Sequence, residues 1–162
     1  MRASVLIAFG LALAPAATFA ADETVAASNP DGIVRVLRES GFSAELDKDS
    51  YGDPLIKTSF AGYPGSIYFY GCAAETHEGC ESLQFRAGLD RKTPLTPELT
   101  NAIVKKYRFT ALWLDDDGDP WVNFDLFTGS GIARENFMRT LKAFEQNFGS
   151  IANDVFAEER GE

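Results

Sequence analysis

The chain is poor in the residues that most enzymes use for proton transfer and nucleophilic attack. Its 162 residues contain one histidine, His77, and two cysteines, Cys72 and Cys80. A single histidine on a cysteine-flanked loop supports neither a Ser-His-Asp nor a Cys-His arrangement. Cys72, His77 and Cys80 fall short of a structural zinc site, which wants four ligands with paired short spacings. No glycine-rich phosphate loop and no dinucleotide fingerprint occurs. Basic residues are scarce as well: 15 Lys and Arg stand against 24 Asp and Glu, a net charge of −9. That balance argues against nucleic acid and anionic membranes, where basic patches supply the affinity. Nor is there an apolar run of the ~18 residues that a membrane-spanning helix needs.

The apolar stretch that does occur, Ala3 to Ala14, follows Arg2 and is broken by Pro15. Thr18-Phe19-Ala20 then closes it with small residues around a bulky one. This is the order of a secretory signal peptide over residues 1–20, cleaved after Ala20, with Ala21 as the close alternative. Its removal takes Arg2 and leaves 142 residues, 14 basic and 24 acidic, with a charge of −10. Export puts the soluble chain in the periplasm or outside the cell, where disulfides persist. A chain of that length and 45% hydrophobic content suits one domain with a real core. Residues 21–29 are small and polar and read as a flexible leader. Residues 30–160 form the single domain.

Local signals place the elements. Asn29 can cap a helix that has Pro30 in its first turn and stops at Gly41, with Phe42 folding back on Leu37. Strands are expected over Ser43–Lys48, Leu55–Phe60, Ser66–Gly71 and Glu81–Leu89, separated by Asp, Gly and Pro turns. Thr96 caps a second helix. Phe109–Leu114 and Pro120–Phe127 are two further strands. A long helix runs from Ala133 towards Glu159, with Phe137, Leu141, Phe144, Phe148, Ile151 and Val155 on one stripe. The order is α-β-β-β-β-α-β-β-α: an α+β fold with an antiparallel sheet and helices packed on one face. Asp49-Ser50-Tyr51-Gly52-Asp53-Pro54 and Asp115-Asp116-Asp117-Gly118-Asp119-Pro120 share one pattern, either an internal echo or convergent hairpin chemistry.

Cys72 ends one strand and Cys80 begins the next, so a hairpin brings them together as a structural disulfide. Asp115 to Asp119 do not make a calcium loop, because Trp113 and Phe124 would fill positions that must be carboxylates. An acidic hairpin turn accounts for the run. No metal and no cofactor is expected.

Tyr68-Phe69-Tyr70-Gly71-Cys72, then Cys80, Leu83-Gln84-Phe85, Asn101, Arg108-Phe109, Gly118-Asp119-Pro120, Asp125 and the glycine turn before Asn136-Phe137 form a recognisable set. Over residues 31–156 the chain resembles the YbjN-domain family, described as bacterial sensory transduction regulators. The resemblance implies a sandwich like that of type III secretion chaperones, which bind proteins and often dimerise. It implies no catalytic residues. Ser130, Ala133 and Phe144 depart from the family pattern. An exported member would not act directly on transcription in the cytoplasm.

Strand alternation completes the reading. If Ile67, Phe69, Leu83, Phe85, Val122, Phe124 and Leu126 face the helices, Tyr68, Tyr70, Trp121 and Phe127 face outward. Clustered outward aromatics suggest an interface for a protein or peptide, or for a second copy in a homodimer. The chain therefore reads as a non-enzymatic binding module with a regulatory or chaperone-like role. The alternative is a small-ligand carrier or hydrolase working through carboxylates near Asp115–Asp125, with Asp125 the most interesting of them.

Overall fold

The computed structural model describes residues 24–161; the signal peptide expected over 1–20 lies outside them. Helix α1 spans Pro30–Glu39, and its ends follow the expected chemistry. The Asn29 side chain accepts from the Gly32 amide, satisfying one of the donors left over in the first turn. Gly41 takes φ 88°, and the Phe42 amide donates back to the Leu37 carbonyl, closing the helix.

Six strands form one antiparallel sheet. They are β2 (Glu45–Lys48), β3 (Pro54–Phe60), β4 (Tyr63–Tyr70), β5 (Ser82–Gly88), β6 (Ala111–Leu114) and β7 (Pro120–Phe127). Their order across the sheet is β2-β3-β4-β5-β7-β6, so β7 inserts between β5 and β6. Helix α2 (Pro97–Val104), capped by Thr96, precedes β6. Strand β6 starts two residues later than expected, because Phe109 adopts φ 59° and lies outside the ladder. The long helix α3 spans Arg134–Val155 and ends four residues short of the expected Glu159. Phe156 is its C-cap and stacks on Tyr63, and a short turn of helix, α4 (Ala157–Arg160), follows.

The core lies between the sheet and the helices. All six stripe residues of α3, Phe137 through Val155, are buried. Their rings meet those of the sheet: Phe144 packs edge-on against Phe60 at 4.9 Å, and Phe137 against Phe85 at 6.0 Å. Edge-to-face contacts of this kind add to the area term. Ile56, Ile67, Leu83 and Val122 complete the inner face, with Ile33 and Leu37 from α1 and Ile103 from α2.

The leader expectation needs correction from residue 24 onward. Thr24–Val25 form strand β1, which pairs with β8 (Ile132–Ala133) just before α3. Val25 and Ala27 are buried, and the Ala27 amide donates to Thr128 Oγ1 at 2.9 Å. A two-residue strand carries no alternation to read, so its burial follows from its partner rather than from its own pattern.

The two Asp-x-x-Gly-Asp-Pro segments, 49–54 and 115–120, fold into the same turn. Asp49 Oδ1 accepts from the amides of Tyr51 and Asp53, and Asp115 Oδ1 from those of Asp117 and Asp119. The Asp49 amide donates to the Asp53 carbonyl and the Asp115 amide to that of Asp119, while the Gly52 and Gly118 amides donate to the Asp49 and Asp115 carbonyls. Gly52 and Gly118 both sit at positive φ, where a side chain is strained. Each turn joins an edge strand, β2 or β6, to its inner neighbour.

Candidate functional site

Period-two alternation sends one set of side chains from β3–β7 into the core and the other set to the opposite face, on which none of the described helices packs. Register fixes which residues meet there. Tyr70 lies opposite Ser82, which lies opposite Phe127; Tyr68 opposite Gln84, opposite Asp125; Ser66 opposite Arg86, opposite Asn123. Gly88 lies opposite Trp121, which lies opposite Trp113. All four residues expected on the outer face, Tyr68, Tyr70, Trp121 and Phe127, are on it.

They do not form a single patch. Phe127 is 78% exposed and Tyr70 44%, and together they make one solvent-facing aromatic end. Tyr68 and Trp121 are half-buried, because Arg86 occupies the space between them. The guanidinium carbon of Arg86 lies 4.7 Å from the Trp121 ring centroid, 4.9 Å from that of Trp113 and 5.5 Å from that of Tyr68. A cation over aromatic faces at such distances is held by the ring quadrupoles. The two indoles stack at 6.0 Å and 16°. Gly88 permits this, since a Cβ there would stand 2.9 Å from the Trp121 ring.

Between the two ends runs a polar belt. Trp113 Nε1 donates to Asn123 Oδ1, Asn123 Nδ2 to Asp125 Oδ2, and Gln84 Nε2 to Asp125 Oδ1 at 2.8 Å. Both oxygens of Asp125 are thus taken by sheet-face amides. Asp115 is similarly committed: Trp121 Nε1 donates to its Oδ2 at 2.9 Å, while Oδ1 serves the turn. The Trp121 bond, backed by turn amides, holds the Asp115 carboxyl below its ordinary value of 3.8. Asp119 Oδ1 accepts the Arg91 amide. These carboxylates act as acceptors that shape the face. A groove of about 620 Å³ opens beside the Arg86 cage, lined by Tyr68, Arg86, Trp121, Asp90, Asp115 and Asp119 among others.

Cys72 and Cys80 come together at the start of β5 as a disulfide-compatible pair, with Cα atoms 3.9 Å apart. His77, in the loop between them, places Nδ1 2.8 Å from Asp53 Oδ1, tying this loop to the β2–β3 turn. Among the described residues no three His, Cys, Asp or Glu side chains converge as a metal site, and no helix is long and apolar enough to cross a membrane.

Arg86 and Trp113 are the functional candidates that sequence reasoning missed. Arg86 was visible as the polar alternate of β5. Trp113 had no local signal, because its place depends on β6 pairing with β7.

Residues 29–156 match the YbjN family, described as "Putative bacterial sensory transduction regulator". Among solved structures, the chain is similar to the one titled "Crystal structure of YbjN, a putative transcription regulator from E. coli". The TM-score is 0.58 at 15% identity, covering 80% of this chain and 92% of that one. No curated protein sequence matches.

Proposed function

We propose, for a chain that belongs to the YbjN family, that it works as an exported, non-enzymatic binding module. It recognises a protein or peptide partner in a regulatory or chaperone-like role, in the periplasm or outside the cell. The observation that carries this reading is the outer sheet face, where Tyr70 and Phe127 expose large rings flanking Ser82. Aromatics in such positions commonly anchor interfaces. Export is supported by the charge and hydropathy order of residues 1–20 and by a cysteine pair placed to oxidise. The family description, a sensory transduction regulator, agrees with a protein that acts through a partner.

The test is to pan a random peptide library against the mature protein and remeasure the retained peptides against Tyr70→Ala/Phe127→Ala. Losing one or two anchor rings should weaken binding about tenfold or more. Peptides that bind wild type and variant equally place the interface elsewhere and overturn the reading. Export is checked by the N-terminus of secreted material, expected at Ala21; a retained Met1 contradicts it.

A further inference from the structure

Arg86 sits mid-strand on β5, with Tyr68 reaching it from β4 and the two tryptophans from β7 and β6. The rings therefore approach it from both sides of its strand. Its Nε is buried without a hydrogen-bond partner, whereas its terminal nitrogens are not sealed off in this way. Among the described residues no carboxylate pairs with it, although acidic residues outnumber basic ones by 24 to 15. An aromatic cage left open would suit a foreign cation. Here the protein's own cation fills it. What the filled cage leaves accessible is the terminal end of a guanidinium whose Cζ is held over three rings, and its N–H donors suit a carboxylate.

We infer that Arg86 is the anchor for the C-terminal carboxylate of a bound peptide, an assignment that rests on the peptide-binding reading above. A half-buried guanidinium with no carboxylate partner has lost part of its hydration, a cost that an incoming anion would offset. The groove beside it, about 620 Å³, is the size of sites that hold small ligands and peptide ends. Charge narrows the class. Asp90, Asp115 and Asp119 line the same groove, and the whole chain is acidic. Multiply charged anions are repelled most strongly by this surround, and a single terminal carboxylate least, above all when basic residues carry it.

The chain's only two tryptophans, Trp113 and Trp121, both flank Arg86, so their emission reports directly on the site. An N-acetylated tripeptide ending in phenylalanine is titrated as the free acid and as the C-terminal amide, alongside hippurate and inorganic phosphate. The free acid should perturb the emission and bind about tenfold or more tighter than the amide, the ratio of one charge-assisted bidentate contact. Arg86→Gln should erase that difference, and Arg86→Lys should restore only part of it. Equal binding of acid and amide to wild type, or no binding of either, overturns the inference even if the variants fail to fold. Hippurate binding as well as the tripeptide would reassign the site to a free organic acid, and phosphate outcompeting the acid would remove carboxylate specificity. Library peptides that need Tyr70 and Phe127 but tolerate C-terminal amidation would sink the Arg86 assignment alone. A footprint away from this face would sink the binding-module reading itself.

Discussion

Arg86 and Trp121 meet across the β5–β7 pairing, with the guanidinium carbon 4.7 Å from the indole centroid. The same indole donates Nε1 to Asp115 at 2.9 Å. One ring thus joins the centre of the sheet to the turn that closes its edge hairpin. Trp121→Leu removes both contacts and should lower the unfolding free energy by about 1–3 kcal/mol. Urea denaturation measures this; an unchanged midpoint would mean that the ring only rests on the surface.

Tyr70 and Phe127 should behave differently. Phe127 is 78% exposed, so Phe127→Ser should change stability by no more than about 0.5 kcal/mol. Any partner complex should nevertheless weaken. If Phe127→Ser unfolded the protein, the face would be structural and the aromatic end no interface.

Asp115 gives the stability an acid limb. Its folded-state carboxyl titrates below 3.8, the ordinary value, because Trp121 and the turn amides favour the charged form. Its contribution is therefore fully present above 3.8 and is lost as pH falls through the lower folded value. Asp115→Asn should differ from wild type in urea midpoint near neutral pH, and the two should converge in strong acid. A difference that persists there would assign the effect to shape rather than charge.

Oxidation of Cys72 and Cys80 closes a short loop. On the chain-entropy model this stabilises by about 2–3 kcal/mol. Cys72→Ser with Cys80→Ser should lower the thermal midpoint while keeping the far-ultraviolet circular dichroism, since the large side chains of α3 and the sheet, rather than buried Cys80, fill most of the core. Two titratable thiols in native protein prepared without reductant would contradict the bonded state.

The N-terminal segment belongs to the fold. Starting the chain at Ser28 removes buried Val25 and Ala27 and the Ala27–Thr128 hydrogen bond. The loss should be about 2–4 kcal/mol, from one large apolar side chain and one buried hydrogen bond. A truncated protein of unchanged stability would return these residues to the status of a loose leader.

Local chemistry made much of this protein legible in its sequence. The Asn29 cap, the Gly41–Phe42 stop, the two Asp-x-x-Gly-Asp-Pro turns and the α3 stripe are each written within a few neighbouring residues. Caps, positive-φ turns and helical periodicity act over that range, so the α+β order and the outward side of Tyr68, Tyr70, Trp121 and Phe127 followed from it. Pairing between distant strands is a different matter, because it is decided by which surfaces bury best against each other across the whole chain. Only the tertiary structure set β7 between β5 and β6, brought Trp113 opposite Trp121, and closed both indoles and Tyr68 around Arg86. The same long-range pairing drew Thr24–Val25 onto Ile132–Ala133 and turned an expected leader into part of the core. The residues were all visible beforehand; their meeting depended on contacts between segments that no local pattern specifies.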